Sequence, residues 1–401
     1  MKLHPITKAK NLKNSIVLVR VDFNVPIQKK QVLDDTRLVE SLPTIQLLIA
    51  KGAKVVLMTH IGRPDGKIVA SLKVDPVIAR LSELLGKKVV KLETGNWKLS
   101  AQKKLVIVKQ IEQMRAGQVA MMENMRFAPD EADDTGSFSE ELAMLGDVFV
   151  LDGFAVAHRA SASVSGIPKY IPAYAGLLLA KEIAGLSKVI HTPTTPLVAV
   201  LGGAKMETKI PVMRHLLDIA DTVLIGGGIV NTYLLAKGYK IGDSLVDKHF
   251  QIDAIAYCKR LKVIKPIDVV VGRKDGSRVR IVQMRKTPHD ICKKGEAIFD
   301  IGPATIQLFA KYIQQAKTLV WNGAVGLFEQ SPYDVGTRSI ARLVASRSKG
   351  QAFGVIGGGE TIQAIDMVGM RDDIDLVSTG GGAMLEFLAG DILPGIRALE
   401  H

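Results

Sequence analysis

The sequence predicts an α/β protein of two doubly wound, Rossmann-like parallel-sheet domains joined by a hinge helix. At 401 residues the chain is longer than the roughly 250 to 300 residues that one hydrophobic core usually supports. Short runs rich in Val, Ile and Leu alternate with amphipathic segments, which is typical of buried parallel strands connected by helices. The same alternation begins a second time after residue 190, which indicates a second domain.

Four apolar runs form the first series of predicted strands. They lie at 16–21, 54–58, 118–122 and 148–152. Residues 75–86 predict a helix between two of them, in which Asp75 caps the first turn, Pro76 takes the first helical position and Gly86 ends the helix. We expect residues 1–173 to form this N-terminal domain.

Six runs form the second series of predicted strands. They lie at 197–201, 222–225, 267–271, 318–321, 353–356 and 376–378. Residues 174–190 contain good helix formers and precede a Pro-rich run, so we expect an interdomain helix there. The second domain is then expected at 191–380, with residues 381–401 packing back towards the first domain.

Glycine-rich turns follow four strands of the second series. They lie at 202–203, 226–228, 357–359 and 380–382. A single such turn is most simply a tight turn, but four at the carboxyl edge of one sheet favour a phosphate-binding edge. Neither G-x-x-x-x-G-K-[ST] nor a complete dinucleotide fingerprint is present, so we expect a nucleotide to be held in another way. The missing fingerprint also weighs against a nicotinamide-dependent oxidoreductase.

The charge and composition exclude several classes of function. The net charge is +13 and aromatic residues are 5%. Because the basic excess is +7 in residues 1–170 and +6 in the remainder, it favours an anionic small substrate over a nucleic acid. The sequence predicts neither a signal peptide nor a membrane span. Two cysteines without C-x-x-C spacing favour a cytoplasmic protein.

Nine short motifs occur in one order along the chain. They are RVDFNVP (20–26), HIGRP (60–64), ENMRF (123–127), DGFAVAHRA (152–160), GGAK (202–205), DIGPAT (300–305), WNGAVGLFE (321–329), GGGET (357–361) and STGGGAMLE (378–386). In these motifs the chain resembles the phosphoglycerate kinase family over essentially its whole length. The resemblance implies reversible glycolytic phosphoryl transfer from 1,3-bisphosphoglycerate to Mg-ADP, giving 3-phosphoglycerate and ATP. It further implies a monomer whose two domains close about the helix, and no nucleic-acid or membrane partner.

The resemblance places the 3-phosphoglycerate site in the first domain. The residues it implies are Asp22, Phe23, Asn24, Arg37, His60, Ile61, Gly62, Arg63, Arg126 and Arg159. The arginines and His60 would form a basic patch, since a phosphate and a carboxylate need fixed, permanently charged donors. Two alternatives stay open: His60 is an interior histidine, and Asp22 pairs with a neighbouring arginine instead of the ligand. We interpret Arg20 as structural.

The resemblance places the Mg-nucleotide site in the second domain. The residues it implies are Gly203, Lys205, Lys209, Gly226, Gly227, Asn322, Glu329, Gly357, Gly358, Gly359, Glu360 and Thr361. The catalytic residues it implies are Arg37, Lys205, Gly358 and Gly381. The spacing of Lys205 and Lys209 predicts that both lie on one face of a helix beginning there. The alternative is that this face is solvated and binds no phosphate. Glu329 would bind ribose, and Glu360 would contact Mg²⁺ largely through the nucleotide phosphates.

The chain departs from the family pattern at three positions. Glu360 stands where the family usually has Asp, Ala324 where it has Pro, and Ser161 where it has His. We expect activity to survive, because Mg²⁺ often keeps several waters that can shift to accommodate one methylene. The alternative is a catalytically weakened, nucleotide-binding paralogue. No general base is expected, because the acceptor carboxylate is already ionised at neutral pH.

Overall fold

The computed structural model describes residues 3–97 and 101–400. The chain divides into two compact units, Met1–Ala184 with Ile392–His401 and Gly185–Asp391. The division falls inside the helix that the sequence predicts between the domains. Residues 381–391 belong to the second unit, so the expected limit at residue 380 is too early.

The first unit contains a parallel sheet flanked by helices. Its elements are β1 (Ile16–Arg20), β2 (Ile27–Gln28), β3 (Gln31–Val32), α1 (Thr36–Ala50), β4 (Lys54–Met58), α2 (Asp75–Leu85), β5 (Val89–Leu92), α3 (Ala101–Glu112), β6 (Val119–Met122), α4 (Ser137–Ala143), β7 (Val148–Leu151), β8 (Ala173–Ala175) and the first part of α5 (Leu177–His191), which continues into the second unit. The strand order is β5-β6-β4-β1-β7-β8, and every pair in it is parallel. The four predicted strands are confirmed, and they form the middle of this sheet.

Helix α2 begins one residue earlier than predicted. Asp75 is its first residue, and Val74 precedes it without a side-chain cap. Gly86 ends the helix in the left-handed conformation, with φ 59°, as a glycine after a helix commonly does. The end of α2 is therefore confirmed, and the proposed Asp75 cap is wrong.

The second unit contains a parallel sheet and a separate antiparallel one. Its elements are β9 (Leu197–Leu201), α6 (Ile210–Ile219), β10 (Thr222–Ile225), α7 (Gly227–Ala236), α8 (Gln251–Cys258), β11 (Val263–Ile264), β12 (Asp268–Gly272), β13 (Arg280–Gln283), β14 (Ala297–Ile301), α9 (Pro303–Gln315), β15 (Thr318–Asn322), α10 (Val335–Ser348), β16 (Phe353–Gly357), α11 (Gly359–Val368), β17 (Leu376–Ser378) and α12 (Gly382–Leu388). The parallel sheet has the order β11-β10-β9-β15-β16-β17. The run at 267–271 forms β12, which pairs antiparallel with β13 and β14, so its predicted place in the parallel sheet is wrong.

A last short helix, α13 (Pro394–Arg397), belongs to the first unit. Gly395 N donates to Ala157 O at 2.8 Å, and the side chains of Leu393, Ile396 and Leu399 are each at most 1% exposed. The final residues therefore complete the core of the first unit. Of the helices described, none has the length and apolar character needed to span a membrane.

Candidate active site

A basic cleft lies at the carboxyl ends of the first unit's strands. Arg63, Arg126 and Arg159 line a cavity of about 540 Å³ together with Arg20. Arg126 follows β6 and donates through Nη1 to Gly62 O at 2.7 Å. Arg159 is half-buried, and burial lowers its pKa. Several fixed guanidinium groups at one opening suit a phosphate or carboxylate ligand.

Arg20 and Glu131 form a buried charged network beneath this cleft. Arg20 is 1% exposed and Glu131 is 4% exposed. Arg20 Nε donates to Ser163 Oγ at 2.8 Å, and Glu131 accepts from Ser161 Oγ at 3.3 Å. Burial lowers the pKa of Arg20 and raises that of Glu131, while the attraction between the two opposes both shifts. The structural interpretation of Arg20 is supported, and Ser161 serves here as a neutral donor to the network.

Asp22 is paired with an arginine in this structure. Its Oδ2 accepts a hydrogen bond from Arg37 Nη1, and its Oδ1 accepts one from Asn24 N at 3.2 Å. Arg37 Nη1 also lies 3.2 Å from Asn24 O. This pairing supports the alternative in which Asp22 pairs with a neighbouring arginine. The pairing also holds Arg37 at the end of β1.

His60 is an interior residue and is not a cation of the basic patch. Its side chain is 3% exposed, and its Nδ1 lies 3.2 Å from Arg20 Nη2 and 3.8 Å from Asp22 Oδ1. Burial, followed by the charges of Arg20, Arg159 and Arg37, lowers the pKa of His60 well below its ordinary value. His60 is therefore neutral, and since Arg20 can only donate, the ring proton is on Nε2. The expectation that His60 contributes positive charge is wrong.

Asn124, which the sequence reasoning missed, fixes the backbone of this site. Its Nδ2 donates to Ile61 O at 2.8 Å, and its Oδ1 accepts from Arg126 N at 3.1 Å. Asn24 Oδ1 accepts from Gly62 N at 2.9 Å. Asn124 is buried and stands inside the ENMRF motif. Its place just after an apolar strand could have identified it from the sequence as a candidate site residue. It places the H-x-G-R-P turn against Arg126.

Phe23 lies in the interior of the first unit, and its backbone groups bond to neighbouring residues. Its side chain is fully buried, while its N–H donates to Thr59 Oγ1 at 2.9 Å. The phenyl ring thus packs in the core of the first unit. Phe23 fixes the chain between its neighbours in the motif.

Lys205 and Lys209 do not share a helix face, which contradicts the prediction from their spacing. Helix α6 begins at Ile210, and Lys205 lies exposed in the preceding turn. Pro211 sits in the first helical turn, where proline is favoured because no donor is needed. That signal was available in the sequence and places the helix start after both lysines.

Lys209 is the buried cation of the second unit. It is 8% exposed, and its Nζ donates to Asn322 Oδ1, while Asn322 Nδ2 donates to Gly357 O at 2.6 Å. Burial lowers the pKa of Lys209 to about 8, and the charge of Glu360 partly opposes this. Because the ammonium loses little water on binding an anion, it is suited to contact a phosphate.

The side chains of Glu360 and Lys209 both approach Gly203. A Cβ on Gly203 would be 3.3 Å from Glu360 Oε2 and 3.5 Å from Lys209 Cε. With φ +95° as well, this position requires glycine. Thr361 Oγ1 accepts from Gly323 N at 2.7 Å, which ties the start of α11 to the end of β15. The glycine turns thus bring four strand ends together.

The glycines of these turns fall into two groups. Gly202 and Gly226 are needed for chain packing, since a Cβ on them would meet Ala324 O at 2.1 Å and Val325 Cβ at 2.6 Å. A Cβ on Gly359, Gly381 or Gly382 would meet nothing within 4 Å. The second group therefore leaves open space beside the N-termini of α11 and α12, as a ligand's phosphates require.

A mainly apolar pocket adjoins these turns. Its volume is about 210 Å³, and its lining includes Gly203, Gly227, Val325, Leu327, Phe328, Glu329 and Glu360. Apolar walls with a few polar groups are typical of sites for small organic ligands. Glu329 is exposed at this pocket. The pocket suits a planar base with a polar sugar at its opening.

Two of the three departures from the family pattern are in contact. Ala324 N lies 3.5 Å from Glu360 Oε2, a donor that proline at this position would lack. Ala324 O accepts from Gly203 N at 2.7 Å. The longer carboxylate and the extra N–H therefore face each other across the turn.

The comparisons with known proteins decide the family. The family model described as phosphoglycerate kinase matches residues 6–391.

The chain belongs to the phosphoglycerate kinase family.

A phosphoglycerate kinase of Pelotomaculum thermopropionicum is 43% identical over 396 residues, covering 97% of each chain. Among solved structures, phosphoglycerate kinase from Coxiella burnetii superposes with a TM-score of 0.86 at 37% identity over 99% of each chain. Phosphoglycerate kinase from Pyrococcus horikoshii superposes with a TM-score of 0.83 at 30% identity, over 99% of this chain and 98% of the other. The chain is therefore a phosphotransferase with the two-sheet α/β fold of phosphoglycerate kinases.

Proposed function

We propose that the chain transfers a phosphoryl group reversibly between 1,3-bisphosphoglycerate and Mg-ADP, giving 3-phosphoglycerate and ATP. The observation that carries this proposal is the convergence of Arg63, Arg126 and Arg159 on one cleft. A three-carbon acid with one phosphate presents an anion at each end, which matches such a cluster. Arg37, held by Asp22, would neutralise charge on the moving phosphoryl group.

The proposed nucleotide site is the glycine-lined pocket of the second unit. Lys209, held by Asn322, would contact a phosphate. The exposed Lys205 is proposed as the cation that contacts the transferred phosphoryl group. The open space at Gly359, Gly381 and Gly382 would let backbone N–H groups approach the phosphate oxygens. Glu329 would accept from the ribose. No residue need act as a base, since the acceptor carboxylate is ionised.

Magnesium fits the donor set of this pocket. Among the residues described, no group of three or more His, Cys, Asp or Glu side chains could hold a metal ion. Mg²⁺ is commonly bound through one or two carboxylates plus phosphate oxygens and water, so Glu360 with the nucleotide would suffice. The bound ion would supply charge neutralisation at the phosphates.

Substitutions of Glu360 test this role. Glu360→Gln keeps the length and removes the charge, so we expect it to raise the Mg²⁺ concentration needed for half-maximal activity about tenfold and to lower kcat. Glu360→Asp keeps the charge and should retain most activity. Activity is titrated against Mg²⁺ for the three proteins. Superimposable curves would show that Glu360 does not contribute to Mg²⁺ binding. Its role would then be that of an acidic residue in the first turn of α11.

Turnover decides between the kinase and the weakened paralogue. With 3-phosphoglycerate and Mg-ATP, the product acyl phosphate is followed by coupled reduction with NADH. We expect turnover at about 1 to 10³ per second, the usual range for enzymes. If titration calorimetry shows nucleotide binding but no turnover is measured, the paralogue is the correct interpretation.

We further propose a cytoplasmic monomer. Both cysteines, Cys258 and Cys292, are free and buried, and burial raises their pKa to about 12 and about 11. Such thiols are unreactive, which supports a protein that needs no disulfide. The monomeric state is proposed from the family resemblance alone.

A further inference from the structure

The antiparallel sheet of the second unit has an open edge at β13. The strand order is β13-β12-β14, and Met284 N donates to Ile267 O at 2.9 Å on the β12 side. Because hydrogen-bonding groups alternate between the two sides of a strand, those of Ile281 and Gln283 point away from β12. Throughout residues 3–97 and 101–400, no strand pairs with them there. The edge can therefore accept one more strand.

The side chains on this edge suit an extended partner. Val279 is 41% exposed and Ile281 is 54% exposed, and Gln283 is exposed on the same face. Arg280, on the opposite face, is engaged by Glu296 at 2.6 Å. Val279 and Ile281 could thus make cross-strand side-chain contacts with an added strand. Contacts of this kind stabilise a sheet.

The charge around the edge is strongly positive. Residues 273–296 contain eight Lys or Arg and three Asp or Glu, a net charge of +5 out of +13 for the whole chain. Arg278 precedes β13, while Arg285 and Lys286 follow it, and all three are exposed. None of the three belongs to an ion pair among the described residues. Cations thus stand at both ends of the open strand.

We propose that β13 binds an acidic, extended peptide segment of a partner protein as an added strand. Backbone hydrogen bonds to Ile281 and Gln283 would give affinity, and flanking carboxylates would pair with Arg278, Arg285 and Lys286. A second copy of this edge is excluded as occupant, because it would bring like charges together. Single-stranded nucleic acid is disfavoured, since residues 273–296 contain no Phe, Tyr or Trp on which bases could stack.

The test uses fluorescence anisotropy with the full-length protein. The probe is a labelled peptide of about eight residues, the length that spans residues 278–285 in extended form, with a Val-Thr-Val-Thr centre and two acids at each end. Ile281→Pro removes an outward N–H without removing a β12 hydrogen bond, and we expect the Kd to rise about tenfold or more, the effect of losing one or two hydrogen bonds. Ile281→Val is the matched control and should bind like the parent protein.

A second variant keeps the test decisive if the proline affects folding. Replacing Arg285 and Lys286 with Glu, both at exposed positions, should weaken the same peptide at least as strongly and leave kinase turnover unchanged. The proposal is overturned if a peptide of equal charge with proline at its centre binds as well, which would indicate ion exchange only. It is also overturned if an oligothymidylate of equal charge binds more tightly, which would make the surface a nucleic-acid site.

Discussion

Replacing Lys209 with Met should lower kcat/KM for ATP about 10²- to 10³-fold, as the loss of one preorganised charged donor does. The buried ammonium is already oriented by Asn322, so the substitution removes a group that needs no rearrangement to meet a phosphate. In the parent protein, kcat/KM should be level at neutral pH and reach half of its plateau at about pH 8, because the pKa of Lys209 is lowered to about 8 and the charge is lost as pH rises through that value. The measurement is kcat/KM for ATP from pH 6.5 to about 9.5 at saturating 3-phosphoglycerate.

Two controls separate Lys209 from a general effect of alkali. Lys311→Met removes an exposed lysine of α9 and should keep the alkaline fall, whereas Lys209→Met should lose it. Glu360→Gln should move the fall to lower pH, because Glu360 raises the pKa of Lys209. An unchanged pH profile in Lys209→Met would show that another group controls nucleotide binding.

Replacing Arg37 with Ala should lower kcat about 10²-fold, because a charge beside the moving phosphoryl group acts in the transition state. Arg37 is 33% exposed and pairs with Asp22, so its removal also frees a carboxylate that repels the substrate. Arg126→Ala should act mainly on KM for 3-phosphoglycerate. Steady-state kinetics of both variants distinguish the two roles.

Arg80→Ala is the matched control for Arg37. Arg80 lies on α2 and pairs with Asp35 and Glu83, so its removal changes the total charge equally and should leave both constants near those of the parent. If Arg37→Ala changes only KM, Arg37 binds substrate without contacting the transferred group.

The central strands were predictable because burial on both faces leaves an unambiguous apolar run. The runs at 54–58 and 197–201 match β4 and β9 residue for residue. By contrast, β13 alternates exposed and half-buried residues, so it was not predicted. The sheet to which β12 belongs was also mispredicted, because strand pairing depends on distant residues that a local pattern does not contain.

The positions of the site residues were predictable where these residues stand in motifs. Their protonation states were not predictable. The sequence indicates that Asp22 and His60 follow strand ends of the first sheet, because parallel strands bring such residues to one edge. It cannot show that His60 is neutral or that burial lowers the pKa of Lys209, since both follow from the three-dimensional surroundings. Asn124 was missed for a similar reason, because it acts through backbone groups.

The position of α13 has a consequence for synthesis on the ribosome. The second unit is one continuous stretch, whereas the first contains both the first and the last residues of the chain. Leu393, Ile396 and Leu399, all buried in the first unit, are synthesised only after the whole of the second unit. The unit that is begun first is therefore completed last. A ribosome stalled just before residue 392 carries the whole sequence of the second unit, but a first unit that still lacks part of its core.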